Sequence, residues 1–192
     1  MNSNIKRVVA FWFNRPPMDW IVAPTGLDAE LRSEFGELVL SARRNDLDDW
    51  ASQPEGSLAL VVLLDQFSRN IFRGSPAAFS ADAKASDTAT RAIARGFDKQ
   101  VSVIHATAFY MPLMQQESLI SVIAARGLFE GLRGRCESKE EREWVEMGVS
   151  AMGRHLEQLE RFGRFPTRNA VLGRVNTADE DEFLAQHKPS LS

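Results

Sequence analysis

Apolar residues along this chain recur at helical spacing in nearly every segment between breakers, and the alternation expected of strands is almost absent. The first apolar block, Val8 to Phe13, predicts a core-facing N-terminal helix that ends before Asn14-Arg15-Pro16-Pro17. At about six residues it is too short to span a bilayer, and no small-residue cleavage pattern of a signal peptide follows it. Leu31, Phe35, Leu38 and Val39 then mark a helix that Asp28 can cap and that closes near Arg43-Arg44-Asn45, where cations suit a carboxyl end. Trp50 sits on a short turn. After Pro54-Glu55-Gly56, Ser57 is the expected cap of a helix from Leu58 to Arg73, with Gly74 past its end.

A further helix is expected from Ser75-Pro76 to Arg95-Gly96. Val101 to Tyr110 is interrupted by Pro112, so the next helix is expected from about Leu113 to Arg133. Ser138-Lys139-Glu140-Glu141 is a capping box opening a long helix through Trp144, Val145, Val149, Met152, Leu156 and Leu159 to Phe162-Gly163. Thr177-Ala178-Asp179-Glu180 opens a terminal one with Phe183 and Leu184. The expectation is an all-α chain of seven or eight helices in antiparallel pairs, one domain over residues 1–186, with a frayed tail from His187 to Ser192. A tetratricopeptide period of 34 residues does not recur in the sequence.

Composition changes this picture little. The chain has 192 residues with average apolar and charged content, which suits a soluble globular protein. A net charge of −3 with no basic run argues against nucleic acid and anionic membranes as partners. The lone Cys136 can form no internal disulfide and no thiolate zinc cage, so a reducing, cytoplasmic setting fits best.

The chemistry concentrates where the greasiest stretch, Leu58 to Leu64, turns polar without a break into Asp65, Gln66, Arg69, Asn70 and Arg73. "QFSRNIFRG" (66–74) is echoed by "RFPTRNAVLGR" (164–174), each placing Phe, then Arg-Asn, then Gly beside Arg. One reading is structural. Asp65–Arg69 and Gln66–Asn70 are helical pairs, Arg73 meets the helix dipole, Asn169 caps a short turn, and Arg168 and Arg174 hold loose carbonyls. The other reading is a site: a helix apolar on every side is central, so guanidiniums one turn later could line an anion pocket formed by Arg69, Arg73, Arg168 and Arg174.

These blocks, with Phe11-Trp12-Phe13, Tyr110-Met111-Pro112-Leu113-Met114, Glu117 and His155, resemble the bacterial domain-of-unknown-function family 924 over nearly the whole chain. The resemblance implies an all-α, tetratricopeptide-like fold and no established activity. It maps signature residues onto Asp65, Gln66, Arg69, Asn70, Arg73, Glu117, His155, Arg164, Arg168, Asn169 and Arg174, which implies one shared polar cluster. Departures occur at Gln115-Gln116, where the family typically has His-Ser, at Thr167 for a histidine, and at Ser68 for a proline.

No cofactor is expected, because no Walker loop, dinucleotide fingerprint or nucleophile elbow is present. No metal is expected either: His155 would have to combine with Asp65 and Glu117, without any helical His/Glu ligand spacing. Cys136 has Arg135 beside it to lower its pKa but no identifiable base. Two functions remain. A binding module would use the arginines for a small anionic ligand or an acidic or carboxylate-ended peptide. An enzyme, a hydrolase or lyase, would use Asp65 or Glu117 as acid–base beside Arg69 and Arg168. The aromatics Phe11, Trp12, Phe13, Trp20, Trp50, Phe109, Tyr110 and Trp144 are assigned to the core.

Overall fold

The computed structural model describes residues 2–187, which form α-helices joined by short turns, with no strand among them. The helices are α1 (Ser3–Phe13), α2 (Leu27–Arg43), α3 (Pro54–Val62), α4 (Ser68–Ile71), α5 (Asp82–Ala94), α6 (Val103–Met114), α7 (Leu119–Gly131), α8 (Lys139–Phe162), α9 (Asn169–Leu172) and α10 (Ala178–Gln186). This is the all-α bundle the apolar spacing expects. Apart from His187, the expected frayed tail lies outside the described residues.

Helix α3 is the axis of the bundle. Every residue from Gly56 to Val62 is buried, because α1, α5 and α6 pack around it, and a helix covered on all sides has no use for a polar face. Helices α6, α7 and α8 then pack each on the next, so one continuous apolar core runs from Ile5 to Phe165. Helices α7 and α8 meet at Gly148, where a Cβ would drive into the ring of Phe129. Glycine there is a requirement of close approach.

Both capping boxes form as expected: Ser138 and Glu141 open α8, and Thr177 and Glu180 open α10. Four expected boundaries move. Helix α3 begins at Pro54, a residue preorganised for a first turn. Ser57 is therefore inside the helix, its Oγ donating to Ala51 O at 3.1 Å rather than capping. Gly26, at φ 91°, precedes α2, which leaves Asp28 in the first turn as the partner of Arg73 at 2.7 Å. The expected 75–95 helix is broken: Pro76–Ala78 is a separate turn and α5 starts at Asp82. Helix α6 runs through Pro112, whose lost donor is tolerated in the last turn of a segment buried along most of its length. The break falls instead before Leu119, where Ser118 Oγ accepts from Ser121 N.

Candidate functional site

The change from apolar to polar along the central helix is made by one turn of π-helix, Leu63–Phe67, between α3 and α4. Leu63 O accepts from Ser68 N, five residues on, and from Ser68 Oγ at 3.0 Å. The widened turn inserts the extra residue that re-aims the following side chains, and such turns recur at functional sites. Asp65 is 1% exposed and Gln66 4%, yet both keep a polar atom without a partner among the described residues, Asp65 Oδ2 and Gln66 Nε2. The other ends of these groups are fixed. Arg69 Nε donates to Asp65 Oδ1 at 3.1 Å, and Trp12 Nε1 donates to Gln66 Oε1. Because an indole N–H can only donate, Gln66 must present its amide nitrogen on the other side. Asn70 Nδ2 meanwhile donates to Gln66 O at 2.8 Å.

Beside this turn lies a cavity of about 480 Å³. Its polar lining consists of Asp65, Gln66, Arg69, Asn70, Arg73 and His155 of the expected residues, together with Gln115 and Arg154. Its walls are Trp20, Met111, Met114, Phe129, Trp144 and Met147, with the exposed Ile21 and Val22 beside them. Size and composition fit a small-molecule site, apolar walls with a few converging polar groups. A wider recess of about 820 Å³ lies at the amino ends of α3 and α6, lined in part by Ile5, Trp50, Glu55 and His105. None of the unpartnered buried polar atoms belongs to it.

Positive charge dominates the polar lining. Arg69 Nη2 reaches Asp82 Oδ1 at 2.8 Å while its Nε holds Asp65; burial works against its charge, but the two carboxylates outweigh that and raise its pKa. Arg168 stands behind Arg69, 3.7 Å from the other Asp82 oxygen, and donates to Gln115 Oε1 at 2.8 Å. The echoed arginines of the two motifs therefore converge on one aspartate, and both lie over the Phe79 ring. Burial, followed by the like charge of Arg69, pulls the Arg168 pKa down to about 10. Burial pushes the Asp82 carboxyl up. His155 Nδ1 lies 3.1 Å from Met114 O, and since a carbonyl only accepts, Nδ1 carries the proton and Nε2 is left as an acceptor. Burial lowers the His155 pKa, and Arg168 and Arg154 lower it further, so the ring is neutral at pH 7.

The remaining expected residues form a second network that fastens the chain after α8. Arg174 grips both oxygens of Glu117 at 2.7 and 2.8 Å, and Phe165 N donates to the same carboxylate at 2.8 Å. Arg164 grips both oxygens of Glu180 at 2.6 and 2.7 Å, and Asn169 Nδ2 donates to Asn176 Oδ1 at 2.8 Å. The one shared cluster expected from the resemblance is thus two, linked through Arg168 and Phe165, whose ring packs 4.9 Å from His155. Glu117 does not line the cavity, so the acid–base arrangement of Asp65 with Glu117 is not assembled in it. Cys136 is also corrected. Burial and then the charge of Glu141 raise its pKa, outweighing the lowering by Arg142 and by Arg135, whose guanidinium also donates to Asp98 O and Val101 O.

Sequence reasoning missed Asp82, Arg154 and the aromatic wall. Asp82 carries no local signal because it is brought in by the break at Phe79. Gln115 stands out in the sequence only as a departure from the family pattern, and Trp20 and Trp144 are both partly or fully buried and also line the cavity.

A family model described as "bacterial protein of unknown function (DUF924)" matches residues 8–188. The chain belongs to this family. A solved structure, that of a protein of unknown function from Agrobacterium tumefaciens, shares 33% identity and superposes with a TM-score of 0.84 over 95% of this chain and 97% of that one. No curated protein matches the chain. The DUF924 resemblance read from the motif blocks is therefore a membership, and the all-α architecture is common to both structures.

Proposed function

We propose that this protein binds a small organic acid with an apolar body in the cavity beside the π turn, as a binding protein rather than through a catalytic pair. The observation that carries the reading is the composition of that one cavity: guanidiniums and a neutral histidine together with two tryptophans, a phenylalanine and three methionines in one lining. Arg154 is the anchor for the acid. Its guanidinium donates to Ser150 Oγ at 3.1 Å and has no carboxylate partner among the described residues, whereas Arg69 and Arg73 are already paired. Holding Arg168 nearby with its charge disfavoured adds a positive field that an anion relieves. A volume of about 480 Å³ suits a small acid better than an extended acidic peptide.

The test is thermal denaturation with 3-phenylpropanoate and its neutral amide, 3-phenylpropanamide. At about 100 times its Kd the acid adds roughly 2.7 kcal/mol, which for a chain of this size is a rise of about 5–10 °C. The amide gives a smaller rise, and Ala151→Phe, which fills the cavity from α8, removes the acid's effect while leaving the helical circular dichroism intact. Equal responses to acid and amide, or a response surviving in Ala151→Phe, defeat the reading.

A further inference from the structure

Two polar atoms of the cavity lining are accessible and unused, and on the reading that the cavity binds an acid they define that acid further. The first is His155 Nε2. Met114 O holds Nδ1 at 3.1 Å and fixes the proton there, so Nε2 is an acceptor. It meets no donor among the described residues, and it is not one of the fully enclosed orphaned atoms, so it keeps accessible surface. The second is Gln115 Nε2. Arg168 Nη2 donates to Gln115 Oε1 at 2.8 Å, and since a guanidinium accepts nothing, the amide nitrogen is the part of the group left free. It too has no partner among the described residues and is not fully enclosed. Both residues line the cavity.

The two groups belong to one neighbourhood. Gln115 follows Met114 at the carboxyl end of α6, and Met114 O is the atom that holds the histidine. The Arg168 guanidinium, which holds Gln115, lies 4.7 Å from the centre of the Phe165 ring, and the His155 ring lies 4.9 Å from the same centre. A neutral acceptor and a neutral donor are thus within the reach of one small molecule. Arg154, the anchor for the carboxylate, precedes His155 on α8 and lines the same cavity.

A ligand that uses both atoms must donate to His155 and accept from Gln115. A hydroxyl does both at one oxygen, whereas a ketone, an ether or a fluorine only accepts. An ammonium donates but has no lone pair for Gln115. It would also stand near Arg154 and Arg168, whose charges already disfavour a cation at His155. The indoles add no polar demand, because Trp20 Nε1 donates to Trp12 O and Trp144 Nε1 to Thr107 Oγ1, each at 3.1 Å. What they offer a ligand is apolar surface.

We infer that the ligand is a 2-hydroxy acid with an apolar side chain, its carboxylate on Arg154 and its hydroxyl between His155 Nε2 and Gln115 Nε2.

Isothermal titration tests this with both enantiomers of 3-phenyllactate and of 2-fluoro-3-phenylpropanoate, which keeps the size and loses the donor, and with 3-phenylpropanoate and L-phenylalanine. The wild type is expected to bind one enantiomer of phenyllactate at least about tenfold more tightly than any of the other three compounds, because each of them leaves His155 or Gln115 unpaired. In His155→Phe, which keeps a ring against Phe165 but has no acceptor, the preference over the fluoro acid falls to near one. The wild-type ratios decide by themselves if that variant does not fold. Phenyllactate binding no more tightly than the fluoro and unsubstituted acids overturns the inference and leaves the acid-binding reading standing, as does a preference that survives in His155→Phe. L-phenylalanine matching phenyllactate also overturns it, since the group read at His155 is then an ammonium. Failure of every probe to bind removes the acid-binding reading and this inference together.

Discussion

Arg69 and Arg168 share Asp82 and differ in what holds them. Arg69 sits between two carboxylates, one of them 1% exposed, and its charge is what makes their burial tolerable. Removing it in Arg69→Ala leaves Asp65 and Asp82 buried with one distant cation, and such a broken buried pair costs about 3–5 kcal/mol. Arg168 has the opposite balance. Burial and the like charge of Arg69 pull its pKa down to about 10, so the charge it still carries at pH 7 is less favourable in the folded chain than in the unfolded one and opposes folding. Arg168→Met, which keeps the stem packed against the Phe79 and Phe165 rings, is expected to change stability by less than about 1 kcal/mol in either direction. Urea denaturation of both variants without ligand checks the contrast. Equal losses would mean that Arg168 is as much an architectural residue as Arg69 and is not held for a ligand's field. The Asp65–Arg69 pair was legible from its spacing of four, whereas Asp82 was not, because a tertiary contact has no period.

The elements were legible where a local rule governs them. Both capping boxes hold because the Ser138 and Thr177 hydroxyls satisfy main-chain donors regardless of what the helix later packs on. The π turn left no trace in the pattern, since a fully buried run reads the same whether its ladder is shifted or not. The one hint was at position 68, where the family pattern expects a proline, a residue unable to donate to the ladder. Tertiary approach overrides propensity at Gly148 too, and this can be measured against a control on the same helix. Gly148→Ala forces a methyl into the Phe129 ring and is expected to destabilise by about 1–3 kcal/mol, while Gly153→Ala, with open space at its Cβ, gains up to about 1 kcal/mol of helix propensity. Midpoints of chemical denaturation compare the two. A neutral Gly148→Ala would show that α7 and α8 slide apart freely, and with them the cavity wall that Phe129 and Gly148 share.

At the scale of the molecule, the bundle from α1 to α8 is held by apolar burial, and the chain after α8 is held largely by carboxylates. This division was hidden in the sequence because Glu117, Arg164, Asn169 and Arg174 carry the same residue types as the cavity, and only the contacts separate them. It has a pH signature. The paired hydrogen bonds of Arg164 hold the Glu180 pKa down to about 2 against an ordinary 4.5. For Glu117, burial works against the charge, but Arg174 and the Phe165 N–H outweigh it and the pKa is again depressed. A depressed carboxylate contributes stability that is complete above its unfolded value and disappears as pH falls toward its folded one. The window here runs from about 4.5 down to about 2. Within it residues 164–186 should open before the core does, since burial of the apolar residues of α3 has no titrating group to lose. Hydrogen exchange, corrected for intrinsic rates, is therefore expected to show falling protection in α10 between pH 5 and 2.5 while α3 stays protected, and Glu180→Gln should show the loosened α10 already at pH 7. If α10 and α3 lose protection together as one unit in the wild type, the C-terminal clamp is part of the same cooperative core and the two-network division of the signature residues is wrong.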